Sequence, residues 1–313
     1  MNELAERLAR GEIVILDGAV GTEIERRGVK MDEAAWCGVA NKTHPGLVRR
    51  MHEDYIQAGA DVITANTFAT ARHVLEDIGL GDEVEVINRR AVELAREARD
   101  GAAHRPVWIA GSMASMPPLT QLQDVTPRGE KVAANYREQA EILAGAGVDL
   151  IVTEMMLDLE NATIVTEAAL ATGLPVWHGF SAEFAADGTT VLEYRNGEHE
   201  ETPARPFGEL VQAITALGGA AAGVMHSYPE VTGPALEILR AHWPGPVMAY
   251  AETGTFVPPD WDFSMAATPD DYAEAARGWT AHGAQIIGGC CGTNPDHIRR
   301  LKETLPPRLP GAA

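Results

Sequence analysis

An alternation of short apolar runs with longer amphipathic stretches limits this chain's fold more than any other feature. The runs lie at 13–17, 60–66, 107–112, 148–154, 175–181, 221–226, 246–251 and 284–288. They are apolar on both faces, as in IVILD (13–17) and VDLIVTE (148–154). Strands of a parallel sheet covered by helices on both sides read this way. Helices are expected between them at 45–58, 83–99, 128–146, 159–171, 207–217, 230–241, 269–282 and 296–304. Several end in glycine turns that stop a helix, such as AGAG at 144–147 and AHG at 281–283.

Eight such repeats in 313 residues predict an α/β fold, a single (β/α)8 TIM barrel over residues 1–304. The alternative is an open doubly wound sheet. No GxGxxG follows the first run, which counts against it. No composition break marks a second domain, and residues 305–313 (LPPRLPGAA) are expected to form a flexible tail.

Charge and cysteine usage exclude several classes. Lys+Arg number 25 and Asp+Glu 45, a net charge of −20 that repels phosphate backbones and anionic lipid. A nucleic-acid or membrane partner is therefore not expected. No apolar run reaches the ~18 residues of a spanning helix. The first ten residues, MNELAERLAR, carry charge where a secretion signal has an apolar core, so a cytoplasmic location is expected. Three cysteines make no disulfide framework. Cys37 reads as structural, whereas Cys290 and Cys291 are adjacent in IIGGCCGT (286–293).

A barrel carries its chemistry at the C-terminal ends of its strands. The polar residues there are Asp17, Asn66 with Thr67, Ser112, Glu154, Ser181 with Glu183, His226, and Cys290 with Cys291. Any one of them could simply cap the next helix. Together they would converge on one mouth. Glycines around Cys290 and Cys291 let two adjacent thiols face one point. With His226 they make three zinc-type ligands and leave one position open, the arrangement of a catalytic rather than a structural zinc. No HExxH spacing occurs, which argues against common zinc hydrolases.

These residues resemble the homocysteine S-methyltransferase family, whose members methylate a thiol on zinc in a (β/α)8 barrel. The resemblance runs nearly end to end. It is carried by LDGAVGTE (16–23), Trp36, HEDYIQAGADVITANTF (52–68), AGVDLIVTE (146–154) and GAQIIGGCCGTNP (283–295). It implies that Cys290 and Cys291 are paired Zn2+ ligands. It further implies that Asp17 and Glu154 hold the amino end of homocysteine, with Gly18, Ala19, Asn66 and Thr67 lining that pocket. The chemistry is consistent, since an ammonium needs carboxylates and a thiol needs zinc to ionise at neutral pH.

The chain departs from the family at three strand ends. His226, in MHS (225–227), stands where the family has cysteine. The family's Gly-Pro-Tyr-Gly is replaced by MASMPP (113–118), and its Asn-Ser-Gly by ETG (252–254). Zinc binding survives the first change, because a His/Cys/Cys set resembles that of cobalamin-independent methionine synthase. The bound sulfur should be a weaker nucleophile, with one negative charge fewer around the metal. The other two changes fall on the donor side.

A folate donor belongs to long modular relatives, and this chain leaves no room for their extra domains. A betaine-type donor needs an aromatic cage, for which Trp36 is one wall, and no aromatic follows Glu154. A sulfonium donor such as S-methylmethionine fits the length. Ser112 at the third strand end and Glu160, Asp158, Glu183 and Glu252 near the mouth are candidates to meet the substrates, the carboxylates favouring a cation. The expected reaction is methyl transfer from a sulfonium to homocysteine, giving methionine. A zinc hydrolase or lyase, another thiol acceptor, and a non-catalytic zinc-binding barrel stay open, and the oligomeric state is not read from the sequence.

Overall fold

The computed structural model describes residues 3–115, 130–194, 204–257 and 260–311. Eight parallel strands form its centre: β1 (Val14–Ile15), β2 (Val62–Ala65), β3 (Trp108–Ala114), β4 (Leu150–Met156), β5 (Val176–Phe180), β6 (Ala221–Met225), β7 (Val247–Tyr250) and β8 (Ala284–Ile287). Each pairs with its neighbours in chain order, and β8 pairs with β1 through Val14↔Ile286 and Ile15↔Ile287. The ring closes between β1 and β2 at the parallel bridge Leu16↔Val62, where Asp17 N–H donates to the Val62 carbonyl at 3.0 Å. The TIM-barrel expectation therefore holds, and the open sheet does not.

Alternate residues explain why the strands are apolar on both faces. Val14, Leu16, Val62, Trp108, Leu150, Trp177, Met248 and Ile286 pack into a cluster inside the barrel. Ile13, Ile15, Ile63, Ile109, Ile151, Val224 and Ile287 pack outward against the helices. Both layers are dry, so neither face of a strand can carry a charge without a partner.

The covering helices are α1 (Pro45–Ala58), α2 (Val84–Ala102), α3 (Glu130–Ala146), α4 (Leu159–Leu170), α5 (Phe207–Thr215), α6 (Pro229–His242), α7 (Pro269–Ala281) and α8 (Pro295–Thr304). Their ends follow local rules. Proline opens α1, α6, α7 and α8, where a missing N–H costs nothing. Asp158 caps α4 and Thr268 caps α7, while Asn294 and His297 form a capping box on α8. Gly59, at φ 114°, ends α1 in the left-handed region. The expected start of α3 at 128 lies outside the described residues.

Three features differ from the sequence reading. An additional helix, Glu3–Ala9, places Leu4 and Leu8 against the interior cluster at the N-terminal end of the barrel. The residues expected to fray are tied down as far as 309. Ile13 N–H donates to the Pro307 carbonyl and Leu309 N–H to the Gly11 carbonyl, each replacing water with a backbone partner. Two small hairpins, Ala182–Phe184 with Val191–Glu193 and Thr255–Val257 with Asp260–Asp262, rise from the strand-end loops after β5 and β7. Among the described residues no helix is long and apolar enough to cross a membrane.

Candidate active site

The strand ends converge as the barrel requires. Asp17, Gly18, Ala19, Trp36, Asn66, Ser112, Glu154, His226, Cys290 and Cys291 all line one pocket. Thr67 and Glu160 do not. The Thr67 hydroxyl donates to the Ser112 carbonyl at 2.8 Å and accepts from Ser112 N–H at 3.0 Å, which ties the end of β2 to β3. Glu160 is exposed in the first turn of α4. Asn66 reaches the pocket, but its amide donates to the Cys37 carbonyl at 2.8 Å and to Asn41 Oδ1 at 3.1 Å. These bonds hold the loop after β1 in place at the pocket wall.

The loop after β8 is stitched between β1 and β7. Gly289 N–H donates to the Asp17 carbonyl, Cys290 N–H to the Ala251 carbonyl, and Thr253 N–H to the Cys291 carbonyl. A Cβ on Gly289 would stand 2.3 Å from Thr293 Oγ1, and Gly292 turns at φ 84°. Both positions need glycine, as the glycine-flanked motif anticipated. The Cys290 and Cys291 sulfurs come to 3.9 Å, and Cys290 Sγ lies 4.0 Å from His226 Nδ1. The three ligand atoms all lie within 4.8 Å of one another. Two soft thiols and an imidazole at this spacing suit a tetrahedral metal and leave a fourth position.

Among the described residues, three other than glycine have positive φ: Trp36 (49°), Met155 (49°) and His226 (43°). All three line the pocket. Left-handed backbone at a bulky residue costs energy, and the hydrogen bonds beside it maintain it. The Ser115 hydroxyl donates to the Met155 carbonyl. Ser227, next to His226, accepts from Ala182 N–H at 2.9 Å and through its carbonyl from Glu252 N–H at 3.1 Å. That last bond brings Glu252 against His226, with Oε2 2.7 Å from Nδ1.

Charges in the pocket are strongly perturbed. Burial raises Asp17 to about 7, opposed by bonds from Thr64 N–H (2.7 Å) and Thr64 Oγ1 (2.9 Å). Burial also raises Glu154, to about 8, against the Ser112 hydroxyl that donates to it. Among the described residues no lysine or arginine pairs with either carboxylate. For His226, burial disfavours the charged ring, but the Glu252 carboxylate and the Cys290 thiol outweigh it and raise the imidazole to about 10. Pairing with Cys291 and then with His226 lowers Cys290, and the same pairing pushes Cys291 up.

The family model for homocysteine S-methyltransferases matches residues 14–305. The chain belongs to that family. Within it, the chain is 27 % identical to a selenocysteine methyltransferase of Astragalus bisulcatus, covering 94 % of this chain and 93 % of the relative. It is also 27 % identical to the homocysteine S-methyltransferase YbgG of Bacillus subtilis (96 % and 97 % covered). The bovine betaine–homocysteine S-methyltransferase 1 is again 27 % identical (97 % and 75 % covered). Among solved structures, the metallated form of the homocysteine methyltransferase MmuM from Escherichia coli matches with a TM-score of 0.77 at 25 % identity, covering 97 % and 100 % of the two chains. The protein is thus a homocysteine S-methyltransferase-family barrel with a metal-competent group at its mouth.

Sequence reasoning missed several residues of this methyltransferase-family site. Phe68 packs beside Trp36 with ring centroids 5.4 Å apart, and both line the pocket. Tyr250, the last residue of β7, lines it beside Glu154. Tyr194 and Trp261, one from each hairpin, meet the His226 ring edge-on at 5.4 and 6.3 Å. No spacing rule points to hairpin residues. Glu252 was legible, because a carboxylate at a strand end next to His226 in the barrel order is an unusual choice.

Proposed function

We propose that this protein is a zinc-dependent S-methyltransferase that moves a methyl group from a sulfonium donor, such as S-methylmethionine, to the thiol of homocysteine, giving methionine. The observation that carries the reading is the shared pocket. A three-ligand thiol and imidazole group opens onto the same space as two carboxylates, buried Asp17 and half-buried Glu154, with which no lysine or arginine pairs among the described residues. An acceptor with a thiol at one end and an ammonium at the other satisfies both. Membership of the family and the names of the relatives support homocysteine as that acceptor.

Two soft thiols and a borderline imidazole suit zinc, and they fit it here. His226, Cys290 and Cys291 would hold the ion. When bound, it would lower the acceptor thiol's pKa so that a thiolate forms at neutral pH. The chain's own residues do the rest. Asp17 and Glu154 take the acceptor's ammonium, and each ionises as the cation arrives. Ser112 fixes one Glu154 oxygen and Thr64 fixes both Asp17 oxygens. Gly18 and Ala19 leave room at the pocket wall, with the Ala19 N–H held by Thr293 Oγ1 at 3.1 Å. The acceptor sulfur attacks the donor methyl in line. An S–CH3 bond forms, the donor C–S bond breaks, and its electron pair returns to the donor sulfur, leaving a neutral thioether. The thiol proton leaves to solvent. Catalysis is then mainly positioning plus thiolate formation.

One observation favours a second donor class. Trp36 and Phe68 form a two-ring wall of the pocket, which suits a quaternary ammonium such as betaine. The test is methionine formation by the zinc-loaded protein from homocysteine with S-methylmethionine or with glycine betaine. Turnover with S-methylmethionine and little with betaine is expected. The reverse ranking would move the donor assignment, and no methionine from either would overturn the reading.

A further inference from the structure

We propose that Glu252 is itself a ligand of the metal, completing a His226, Glu252, Cys290, Cys291 set in the resting protein and giving way when the acceptor thiol arrives. The inference rests on the reading of His226, Cys290 and Cys291 as a metal site and adds a fourth residue to it.

Glu252 follows β7, and its side chain is almost fully buried, at 4 % exposure. A buried carboxylate needs partners, because losing water without replacement costs several kcal/mol. Its Oε2 nonetheless makes no aligned hydrogen bond among the described residues. The near neighbour of that oxygen is His226 Nδ1 at 2.7 Å. An oxygen this buried and this poorly satisfied fits a cation held beside it.

The choice of ring nitrogen decides between two roles. A carboxylate that merely orients a metal-binding histidine takes one ring nitrogen while the metal takes the other. Here Glu252 Oε2 and Cys290 Sγ both approach Nδ1, at 2.7 and 4.0 Å. The carboxylate therefore approaches the same ring nitrogen as the Cys290 thiol and stands beside the three-ligand group, where a turn of its side chain would bring it to a metal held there. Carboxylate oxygen is an ordinary zinc ligand at about 2.0–2.2 Å. It is also harder than a thiolate, so an incoming substrate sulfur displaces it in preference to Cys290 or Cys291.

The same placement answers the question of charge. His226 brings no negative charge of its own, and Glu252 supplies it within the site. A metal held by these four groups carries the negative charge of three anions rather than two. That count holds in the resting protein; once the acceptor thiolate displaces Glu252, the weaker nucleophile expected from the His226 position still follows.

The test is a crystal structure of zinc-loaded protein, with and without homocysteine, beside zinc affinity of Glu252→Gln measured by chelator competition. The expected result is a Glu252 oxygen about 2.0–2.2 Å from zinc in the resting protein, and homocysteine sulfur in its place in the complex. The variant should bind zinc at least ~10-fold more weakly. Zinc on His226 Nε2 with Glu252 left on Nδ1, or water as fourth ligand with Glu252 turned away, would overturn the inference while leaving the methyltransferase reading intact. Zinc absent from His226, Cys290 and Cys291 would overturn both.

Discussion

Asp17 is the residue where this protein sets stability against function, and replacing it with asparagine separates the two. Asp17 ordinarily ionises near 3.8 but at about 7 in the folded, ligand-free protein. Between those values the folded chain holds a proton that the unfolded chain has lost. The stability contributed by the neutral carboxyl is complete below about pH 4 and is lost as pH rises through 7. Three pH units at 1.36 kcal/mol each amount to about 4 kcal/mol by pH 8, an upper bound because burial is relieved as water enters. Asp17→Asn stays neutral throughout. Its amide oxygen can accept from Thr64 N–H and its amide nitrogen can donate to Thr64 Oγ1, so both native contacts are kept. The variant should match wild type near pH 4 and exceed it by up to ~4 kcal/mol at pH 8. It should also lose the charged contact to the acceptor's ammonium, about 1.5–3 kcal/mol, or a 10–100-fold higher KM for homocysteine. Urea unfolding from pH 4 to 8 at a fixed metal state, with steady-state kinetics alongside, measures both. Parallel stability curves, or an unchanged KM, would refute the reasoning.

Other perturbations follow from the same geometry. Cys291→Ala should lose metal and activity together, checked by metal analysis and assay on one sample; full activity in metal-free variant protein would end the zinc mechanism. Gly289→Ala places a Cβ 2.3 Å from Thr293 Oγ1 and 2.7 Å from Thr293 Cβ. It should cost about 1–3 kcal/mol of stability and weaken zinc binding; native stability and zinc affinity would show that the loop adapts freely. Ser112→Ala removes the bond that lowers Glu154. Glu154 should then ionise at higher pH, moving the acid limb of kcat/KM for homocysteine upward; a limb that stays in place would remove Ser112 from that role.

Much of the architecture was legible because the strands are buried on both faces. The expected helix at 45–58 coincides with α1, Pro45–Ala58, where proline and glycine mark both ends. Six of the eight strands came out shorter than their apolar runs, while β3 and β4 run on to Ala114 and Met156. The run at 13–17 yields only Val14–Ile15 because β1 pairs with β8 over two residues and meets β2 at the single bridge Leu16↔Val62. Neither hairpin was legible, since strands of three residues carry too little pattern to stand out from a loop. At the site, types and strand ends located the pocket, and tertiary hydrogen bonds decided which polar groups are available within it. Thr67 and Glu160 have suitable side chains for the roles assigned to them. Thr67 is consumed in holding β3, and Glu160 is exposed in the first turn of α4, outside the pocket lining. Such competition between neighbours is invisible until the backbone is placed.

Zinc stoichiometry and zinc-edge X-ray absorption on protein purified under reducing conditions, before and after homocysteine is added, test the central claim most directly. The account predicts one zinc per chain held by two sulfurs with nitrogen and oxygen neighbours, and a third sulfur replacing an oxygen when homocysteine binds. Zinc whose surroundings ignore homocysteine, or protein that takes up no zinc, would contradict it.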